Sequence, residues 1–214
     1  MSHLVIVGGT GYAGSHIAAE AVRRGHEVTS YSRTEPETRL EGVDYRTGSI
    51  TDPEVLEAAA ADADDLVLSV HHAEVGGAPL VDLLPSVIEA ATTHRARLSV
   101  VGGAASSYLS EGGPRLIESP DFNEAWKPEA RAGLATLQAL QQAPADLRWF
   151  FVSPAALFGS YAPGETTGRY RTGGDVLVTK EDGSSEISGT DFATAFVDEI
   201  EQVAHPNQRF TVGH

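Results

Sequence analysis

The sequence predicts an α/β fold, with a doubly wound, mostly parallel sheet and a small C-terminal lobe. Strand-like apolar runs alternate with helical segments along the 214 residues. The first strand leads directly into a glycine-rich turn and then a helix. No repeat, low-complexity tract or linker interrupts this order. We therefore expect one domain over residues 1–214, with residues 154–190 as the lobe.

Composition excludes several classes of function. A net charge of −15 and a pI of about 4.8 argue against nucleic acid and anionic membranes as partners. The absence of cysteine excludes disulfides, cysteine-ligated metals and thiol catalysis. No apolar run approaches the roughly 18 residues of a membrane span, and the first residues do not resemble a signal peptide. We expect a cytoplasmic protein.

The glycine-rich turn is the most informative stretch. A strand over Leu4–Val7 precedes Gly8-Gly9-Thr10-Gly11-Tyr12-Ala13-Gly14, and a helix is predicted from Ser15 to Gly25. Side chains at the glycines would keep a pyrophosphate away from the free N–H groups that open the helix. The last glycine lets helix and strand pack closely. This spacing predicts a dinucleotide site; the alternative is a turn without a ligand.

The second strand, His26–Ser32, ends at Arg33. An acidic residue near this point would bind both ribose hydroxyls and select NAD. A guanidinium binds a 2′-phosphate instead. Arg33 therefore favours NADP(H) over NAD(H); the alternative is a solvated loop arginine.

Further elements follow in alternation. A helix capped by Thr51 or Asp52, with Pro53 at its first position, is expected to end near Ala61. The helix over 79–94 is strongly amphipathic, with Pro85 as a kink or a second start. The other predictions are strands at 43–46, 64–70, 97–101, 147–152, 176–178, 186–187 and 209–212, and helices at 123–142 and 191–204. Residues 159–175, aperiodic and rich in glycine, are predicted to form a long ordered loop or a small cap, a kind of segment that tends to carry function.

Candidate reactive groups follow two strands. His71 and His72 end the 64–70 strand, where doubly wound folds place their sites, and one could protonate a substrate. The alternative is a polar loop pair. Ser106 or Ser107, after the 97–101 strand, could donate a hydroxyl or cap a helix. A metal site is not expected, because adjacent histidines diverge on a strand and no third ligand is evident.

Six segments together resemble the atypical short-chain dehydrogenase/reductase families, and most of all their NAD(P)H-binding NADH-flavin-reductase group, related to biliverdin-reductase-B-like and NmrA-like proteins. The resemblance covers nearly the whole chain and implies a Rossmann-like fold with the 154–190 lobe on the substrate side. Its most specific part is Pro-Gly-Glu-x-Thr-Gly-x-Tyr at 163–170. The other segments are 8–14, Arg33, 100–104, 153–158 and 209–212.

The resemblance also implies positions for the cofactor. Around the pyrophosphate it places Gly8, Thr10, Gly11, Tyr12 and Ala13. Arg33 would meet the 2′-phosphate, and Ser49 and Ile50 would lie by the adenine. Val70 and His71 would flank the nicotinamide ribose, and Pro154 would line the nicotinamide face with the residues up to Leu157.

The chain departs from the usual short-chain dehydrogenases in its proton-transfer groups. No tyrosine is followed by lysine four positions later, and Gly102 and Gly103 stand where a serine is expected. A flavin (FMN or FAD) or another planar acceptor needs less, because the protein mainly aligns two rings. Five aromatic residues could stack such a substrate: Tyr108, Trp126, Phe158, Tyr161 and Tyr170.

These observations predict an NADPH-dependent oxidoreductase that transfers hydride to a small planar acceptor, with His71 and Ser106 as catalytic candidates. The alternative is a non-catalytic NADP(H) sensor that binds a protein partner according to redox state. A nucleotide-sugar epimerase or dehydratase is a third possibility, which the missing Tyr–Lys pair disfavours. We expect a monomer or homodimer.

Overall fold

A computed structural model describes residues 1–214 and contains one eight-stranded sheet. Its strands are β1 (His3–Val7), β2 (Glu27–Ser32), β3 (Val43–Thr47), β4 (Asp65–Leu68), β5 (Arg97–Val101), β6 (Trp149–Ser153), β7 (Arg171–Thr172) and β8 (Gln208–Gly213). Their order in the sheet is β3-β2-β1-β4-β5-β6-β8-β7. All neighbours pair in parallel except β7, which runs antiparallel to β8. The predicted fold class is confirmed.

Five helices cover the two faces of the sheet: α1 (Tyr12–Arg23), α2 (Pro53–Asp62), α3 (Leu80–His94), α4 (Lys127–Gln141) and α5 (Gly189–Gln202). Strand β6 shows how alternation divides the core. Trp149 and Phe151 pack in the cluster that contains residues of α2, α3 and α4. Phe150 and Val152 point the other way, into the cluster that contains residues of α1 and α5. The sheet is therefore buried between two helical layers.

The centre of the sheet sets the position of the site. Strand β1 pairs with β2 on one side and with β4 on the other. The chain winds outward in one direction from β1 through β2 and β3, and in the other direction from β4 onward. The carboxyl ends of β1 and β4 therefore border a topological switch point, where open α/β sheets bind their ligands.

Local chemistry explains where the helices begin. The Asp52 carboxylate accepts from the backbone N–H of Glu54 at 3.0 Å, with Pro53 at the first helical position, as the sequence predicts. Ser188 caps α5 by accepting from the Asp191 N–H at 3.0 Å. Helix α3 continues through Pro85. None of the helices is long and apolar enough to cross a bilayer.

Three expectations about elements were wrong. Helix α1 begins at Tyr12 rather than Ser15, because the glycine turn is itself the entry to the helix. The predicted strands at 176–178 and 186–187 form only isolated bridges, from Val176 to Tyr108 and from Glu186 to Leu157. The free edge of β8 is instead paired by β7, inside the segment predicted to be an aperiodic loop.

Candidate functional site

The turn between β1 and α1 has space only for glycine at critical points. Gly8 has a φ of +85°, and an added Cβ would lie 2.1 Å from the carbonyl oxygen of Ser69. An added Cβ at Gly14 would lie 2.3 Å from the carbonyl oxygen of Gly8. The first glycine therefore allows β1 and β4 to end side by side, and the last allows α1 to pack on the turn.

The same turn leaves main-chain donors free. The Gly11 N–H donates to the Gly8 carbonyl at 3.0 Å, and the Ser15 N–H donates to the Gly11 carbonyl at 2.9 Å. No side chain caps α1 at Gly11. Five N–H groups have no acceptor within the protein, namely those of Gly9, Thr10, Tyr12, Ala13 and Gly14. Such donors at the positive end of a helix fit a pyrophosphate.

The side chain of Arg33 is also without a partner. It is exposed, directly after β2, and makes no hydrogen bond or ion pair. The nearby Arg39 guanidinium, by contrast, lies 2.5 Å from the Glu35 carboxylate. Arg33 is therefore a free cation at the carboxyl end of β2, in a protein that is strongly acidic overall.

Ser49 and Ile50 lie in the loop after β3. The Ser49 hydroxyl is 2.9 Å from that of Thr51. The Ile50 side chain is only 3% exposed and belongs to the core. Ile50 can therefore offer a ligand only its main chain.

The end of β4 places its two histidines differently. Val70 lies beside the glycine turn, since an added Cβ on Gly8 would be 3.2 Å from its Cγ1. The His71 side chain is 88% exposed, and its Nδ1 is 3.8 Å from Oε1 of Glu129. His72 is buried, with Nε2 at 3.0 Å from the Val101 carbonyl and Nδ1 at 3.1 Å from the Thr136 hydroxyl. Burial lowers the pKa of His72 and keeps its ring neutral at pH 7.

Glu129, on α4, is a residue that the sequence interpretation missed. Its two carboxylate oxygens accept from the backbone N–H groups of His72 at 2.7 Å and Ala73 at 2.9 Å. It therefore holds the chain at the end of β4 while facing His71. Its separation from His72 by 57 positions explains why no local pattern could reveal it.

The glycine turn, with its free amides at the switch point, agrees with a comparison to known protein families. A family model described as NAD(P)H-binding matches residues 8–202. The chain belongs to this NAD(P)H-binding family.

Three proteins are similar to this NAD(P)H-binding protein over almost the full length of both chains. YwnB of Bacillus subtilis (strain 168) is 36% identical, over 97% of this chain and 96% of its own. The crystal structure of a "putative NADH-flavin reductase" from Streptococcus pneumoniae TIGR4 is 34% identical, with a TM-score of 0.81 over all of both chains. That of a "putative epimerase" from Bacteroides thetaiotaomicron is 29% identical, with a TM-score of 0.86 over 99% of this chain and 96% of its own.

At the carboxyl end of β5 in this NAD(P)H-binding protein, Gly103 has space for a side chain but Gly102 does not. An added Cβ on Gly102 would lie 1.9 Å from Cε1 of Phe151, so the ring occupies the space that a side chain would need. The Ser106 hydroxyl, 3% exposed, donates to the Gly103 carbonyl at 3.3 Å. Ser107 is fully buried and accepts from Arg209 at 3.1 Å. Neither serine presents a free hydroxyl.

Pro154, after β6, is buried, and the aromatic residues nearby fall into two groups. Trp126 and Tyr161 are 49% and 67% exposed, with ring centroids 6.2 Å apart. The other three rings are occupied within the protein. Tyr170 donates to Asp198 at 2.5 Å, Phe158 packs 4.5 Å from Phe192, and the Arg115 guanidinium lies 4.5 Å above Tyr108.

Two surface cavities lie away from these groups. One of about 460 Å³ is lined by residues including Arg95 and Arg148, and one of about 610 Å³ lies between α3 and α4 near Asp146. The first lies where β5 and β6 begin, opposite the glycine turn, and the second extends along α3 from Val81 to Thr93. No group of three or more ionisable side chains is placed to hold a metal ion.

Proposed function

We propose that the protein is an NADPH-dependent oxidoreductase that delivers hydride to a flavin or another planar, conjugated acceptor. The observation that supports it most directly is the set of five free amides at the glycine turn. Backbone donors at a helix start bind a pyrophosphate without any side-chain charge. That suits a chain with a net charge of −15, which would otherwise repel a dinucleotide.

Residues around the turn would hold the rest of the cofactor. In this proposal the unpaired Arg33 guanidinium binds the 2′-phosphate and gives the preference for NADP(H). The main chain at Ser49 and Ile50 borders the adenine. Val70 and His71 border the nicotinamide ribose, and Pro154 supports the nicotinamide face. Residues 154–190 would then form the substrate side of the same domain.

The acceptor is inferred from what the chain lacks. The sequence contains no Tyr-x-x-x-Lys pair, glycine replaces the expected serine at positions 102 and 103, and Phe151 fills the space that a side chain would need at position 102. When bound, dihydronicotinamide supplies a hydride, which a flavin accepts together with one proton to give the reduced flavin. The proton comes from water or from the solvated His71. Ser106 could take this role only by breaking its bond to Gly103.

Steady-state oxidation of NADPH with FMN, FAD and a panel of quinones tests the proposal. We expect turnover with at least one planar acceptor, and a higher kcat/KM with NADPH than with NADH. Calorimetry with NADPH and NADH measures binding independently of turnover. No binding of either cofactor would overturn the whole proposal.

A second function is a non-catalytic NADP(H) sensor that binds a protein partner. The missing Tyr-x-x-x-Lys pair and the buried Ser106 and Ser107 hydroxyls favour it, because they leave few groups for proton transfer. Micromolar binding of NADPH with no oxidation by any acceptor would support the sensor and overturn the enzyme.

A further inference from the structure

We infer that Trp126 and Tyr161 form the surface on which the planar ring of the acceptor stacks, and that this pair selects conjugated over small aliphatic acceptors. The inference rests on the proposed function, because it assigns residues to the acceptor of that reaction. We call the two residues the aromatic pair.

The aromatic pair lies at the same end of the sheet as the glycine turn, where the parallel strands have their carboxyl ends. Trp126 immediately precedes α4, and Glu129 follows it by about one helical turn. Glu129 in turn binds the main chain of His72, at the end of β4. Tyr161 follows β6, on a turn closed by a hydrogen bond from the Ala162 N–H to the Gly159 carbonyl at 3.0 Å. Two separate segments thus bring their rings together beside the carboxyl ends of the central strands.

Packing within the protein does not explain why these two aromatic side chains lie at this exposed position. Neither belongs to a core cluster, and neither the Trp126 indole N–H nor the Tyr161 hydroxyl has a hydrogen-bond partner. Seven large apolar side chains are exposed in the whole chain, and three of them lie in these two segments: Trp126, Leu157 and Tyr161. Exposed apolar residues concentrated beside a binding crevice indicate a ligand contact.

The geometry of the pair suits a flat ring. The two rings are tilted by 35° with centroids 6.2 Å apart, so they are neighbours without being stacked face to face. Phe122 meets Trp126 edge-on at 6.4 Å and 80°, which fixes the orientation of the indole. An electron-poor ring system such as isoalloxazine can therefore lie against the exposed part of the indole.

Size and charge favour a small ligand over a protein at this surface. Only three large apolar side chains are exposed here, a small apolar centre for a stable protein interface, to which each partner contributes about 20–30 residues of all types. A second copy of the chain would also bring a further net charge of −15 to the contact. We therefore assign the pair to the ring of the acceptor.

Kinetics on four variants test the assignment. Trp126→Leu and Tyr161→Ala should each raise KM for FMN by roughly tenfold, because they remove a stacking surface. Trp126→Phe should stay within about twofold of the parent, since it keeps an aromatic face. Val203→Ala is the matched control, because Val203 is as exposed as Trp126 but lies at the C-terminal end of α5. The Kd for NADPH should be unchanged in all four.

Fluorescence gives a readout that needs no turnover. The chain has two tryptophans, and Trp149 is buried in β6, so Trp149→Phe leaves Trp126 as the sole indole. With oxidised NADP present, FMN should quench this emission saturably, with a Kd close to its KM, and Tyr161→Ala should weaken the quenching.

The outcomes separate the two proposals. An unchanged KM for FMN in Trp126→Leu and Tyr161→Ala, or no saturable quenching, would overturn the assignment of the aromatic pair. Turnover by the parent protein would still support the proposed enzyme activity in that case. Saturable quenching without any NADPH oxidation would overturn the enzyme and leave the flavin surface in place.

Discussion

The phenolic oxygen of Tyr12 joins the glycine turn to the segment after β6: it donates to the Pro163 carbonyl at 3.3 Å and accepts from the Gly189 N–H at 3.1 Å. The ring also meets Phe158 edge-on, with centroids 5.4 Å apart. One side chain of the glycine motif therefore supports both the turn and the segment that we assign to the substrate side.

Tyr12→Phe should loosen that connection while leaving the ring contacts in place. Loss of the two hydrogen bonds should lower the free energy of unfolding by about 1–2 kcal/mol and speed amide hydrogen exchange over residues 162–168. Tyr45→Phe is a suitable control, because the Tyr45 hydroxyl only accepts one bond, from the Leu40 N–H, at the surface. Unchanged exchange over 162–168 would show that Tyr12 does not hold the segment.

Arg33→Ser tests cofactor preference. If the free guanidinium binds a 2′-phosphate, the Kd for NADPH should rise about 10- to 100-fold, as expected for losing hydrogen bonds to a charged group, and that for NADH should change little. Calorimetry measures both values. Arg39→Ser should leave both cofactors unaffected, since Arg39 pairs with Glu35. Equal losses for NADPH and NADH would contradict the assignment.

Gly14 and Gly11 should respond differently to the same substitution. Gly14→Ala forces a Cβ to 2.8 Å from the Gly9 Cα as well as against the Gly8 carbonyl, and should cost about 1–3 kcal/mol of stability together with NADPH binding. Gly11→Ala meets only the Gly8 carbonyl, at 3.3 Å. It should cost less than about 1 kcal/mol of stability. Urea unfolding and calorimetry distinguish the two, and similar destabilisation by both would disagree with the packing described here.

Glu129→Ala should destabilise the chain at the end of β4. The carboxylate accepts two main-chain hydrogen bonds there, so we expect a loss of about 1.5–3 kcal/mol. Thermal unfolding measures this loss. Glu124→Ala provides the control, since Glu124 is 82% exposed and pairs only with Lys127. Equal melting temperatures for the two variants would rule out the positioning role of Glu129.

Asp191 should make stability depend on pH in the acid range. Burial alone would raise the pKa of its carboxyl, but hydrogen bonds, above all from the Thr167 N–H and the His214 ring, bring the pKa below the ordinary 3.8. The unfolded chain then binds the proton more tightly than the folded one. The stabilisation is therefore complete above pH 3.8 and is lost as pH falls through the lower pKa of the folded state.

Asp191→Asn should accordingly flatten the acid limb of a plot of unfolding free energy against pH. Urea titrations from about pH 7 to about pH 3 provide this plot. Asp121→Asn, at an exposed position, should retain the slope of the parent protein. If Asp191→Asn has the same slope as the parent protein, Asp191 does not cause the pH dependence.

Local patterns were enough to predict the features that depend on neighbours in sequence. The glycine turn, the helix start at Asp52 and Pro53 and the strand at β6 all follow from residues a few positions apart. His71 and His72 do diverge, but not for the predicted reason of strand alternation, because β4 ends at Leu68 and both histidines lie in the loop after it. Which of the two would be buried depends on α4, and so remained open.

The features that could not be predicted from the sequence are contacts between segments that are distant in the chain. The contact of Glu129 with the main chain of His72 and the pairing of β7 with β8 are both set by tertiary packing. The two segments after β7 that were predicted as strands have strand-like composition, but they bridge to Tyr108 and Leu157 outside the sheet and not to one of its strands. Among the five candidate aromatic residues, only exposure in the folded chain separates Trp126 and Tyr161 from the other three.

The Phe151 ring beneath Gly102 restricts which residues position 102 can accept. Introducing serine at that position places its Cβ 1.9 Å from the ring, whereas first truncating Phe151 to alanine opens a cavity at a cost of about 3–5 kcal/mol. Serine at position 102 therefore requires a compensating change at Phe151, whereas an added Cβ at Gly103 meets no atom within 4 Å. Directed evolution would reach a side-chain hydroxyl at the end of β5 more easily through position 103 than through position 102.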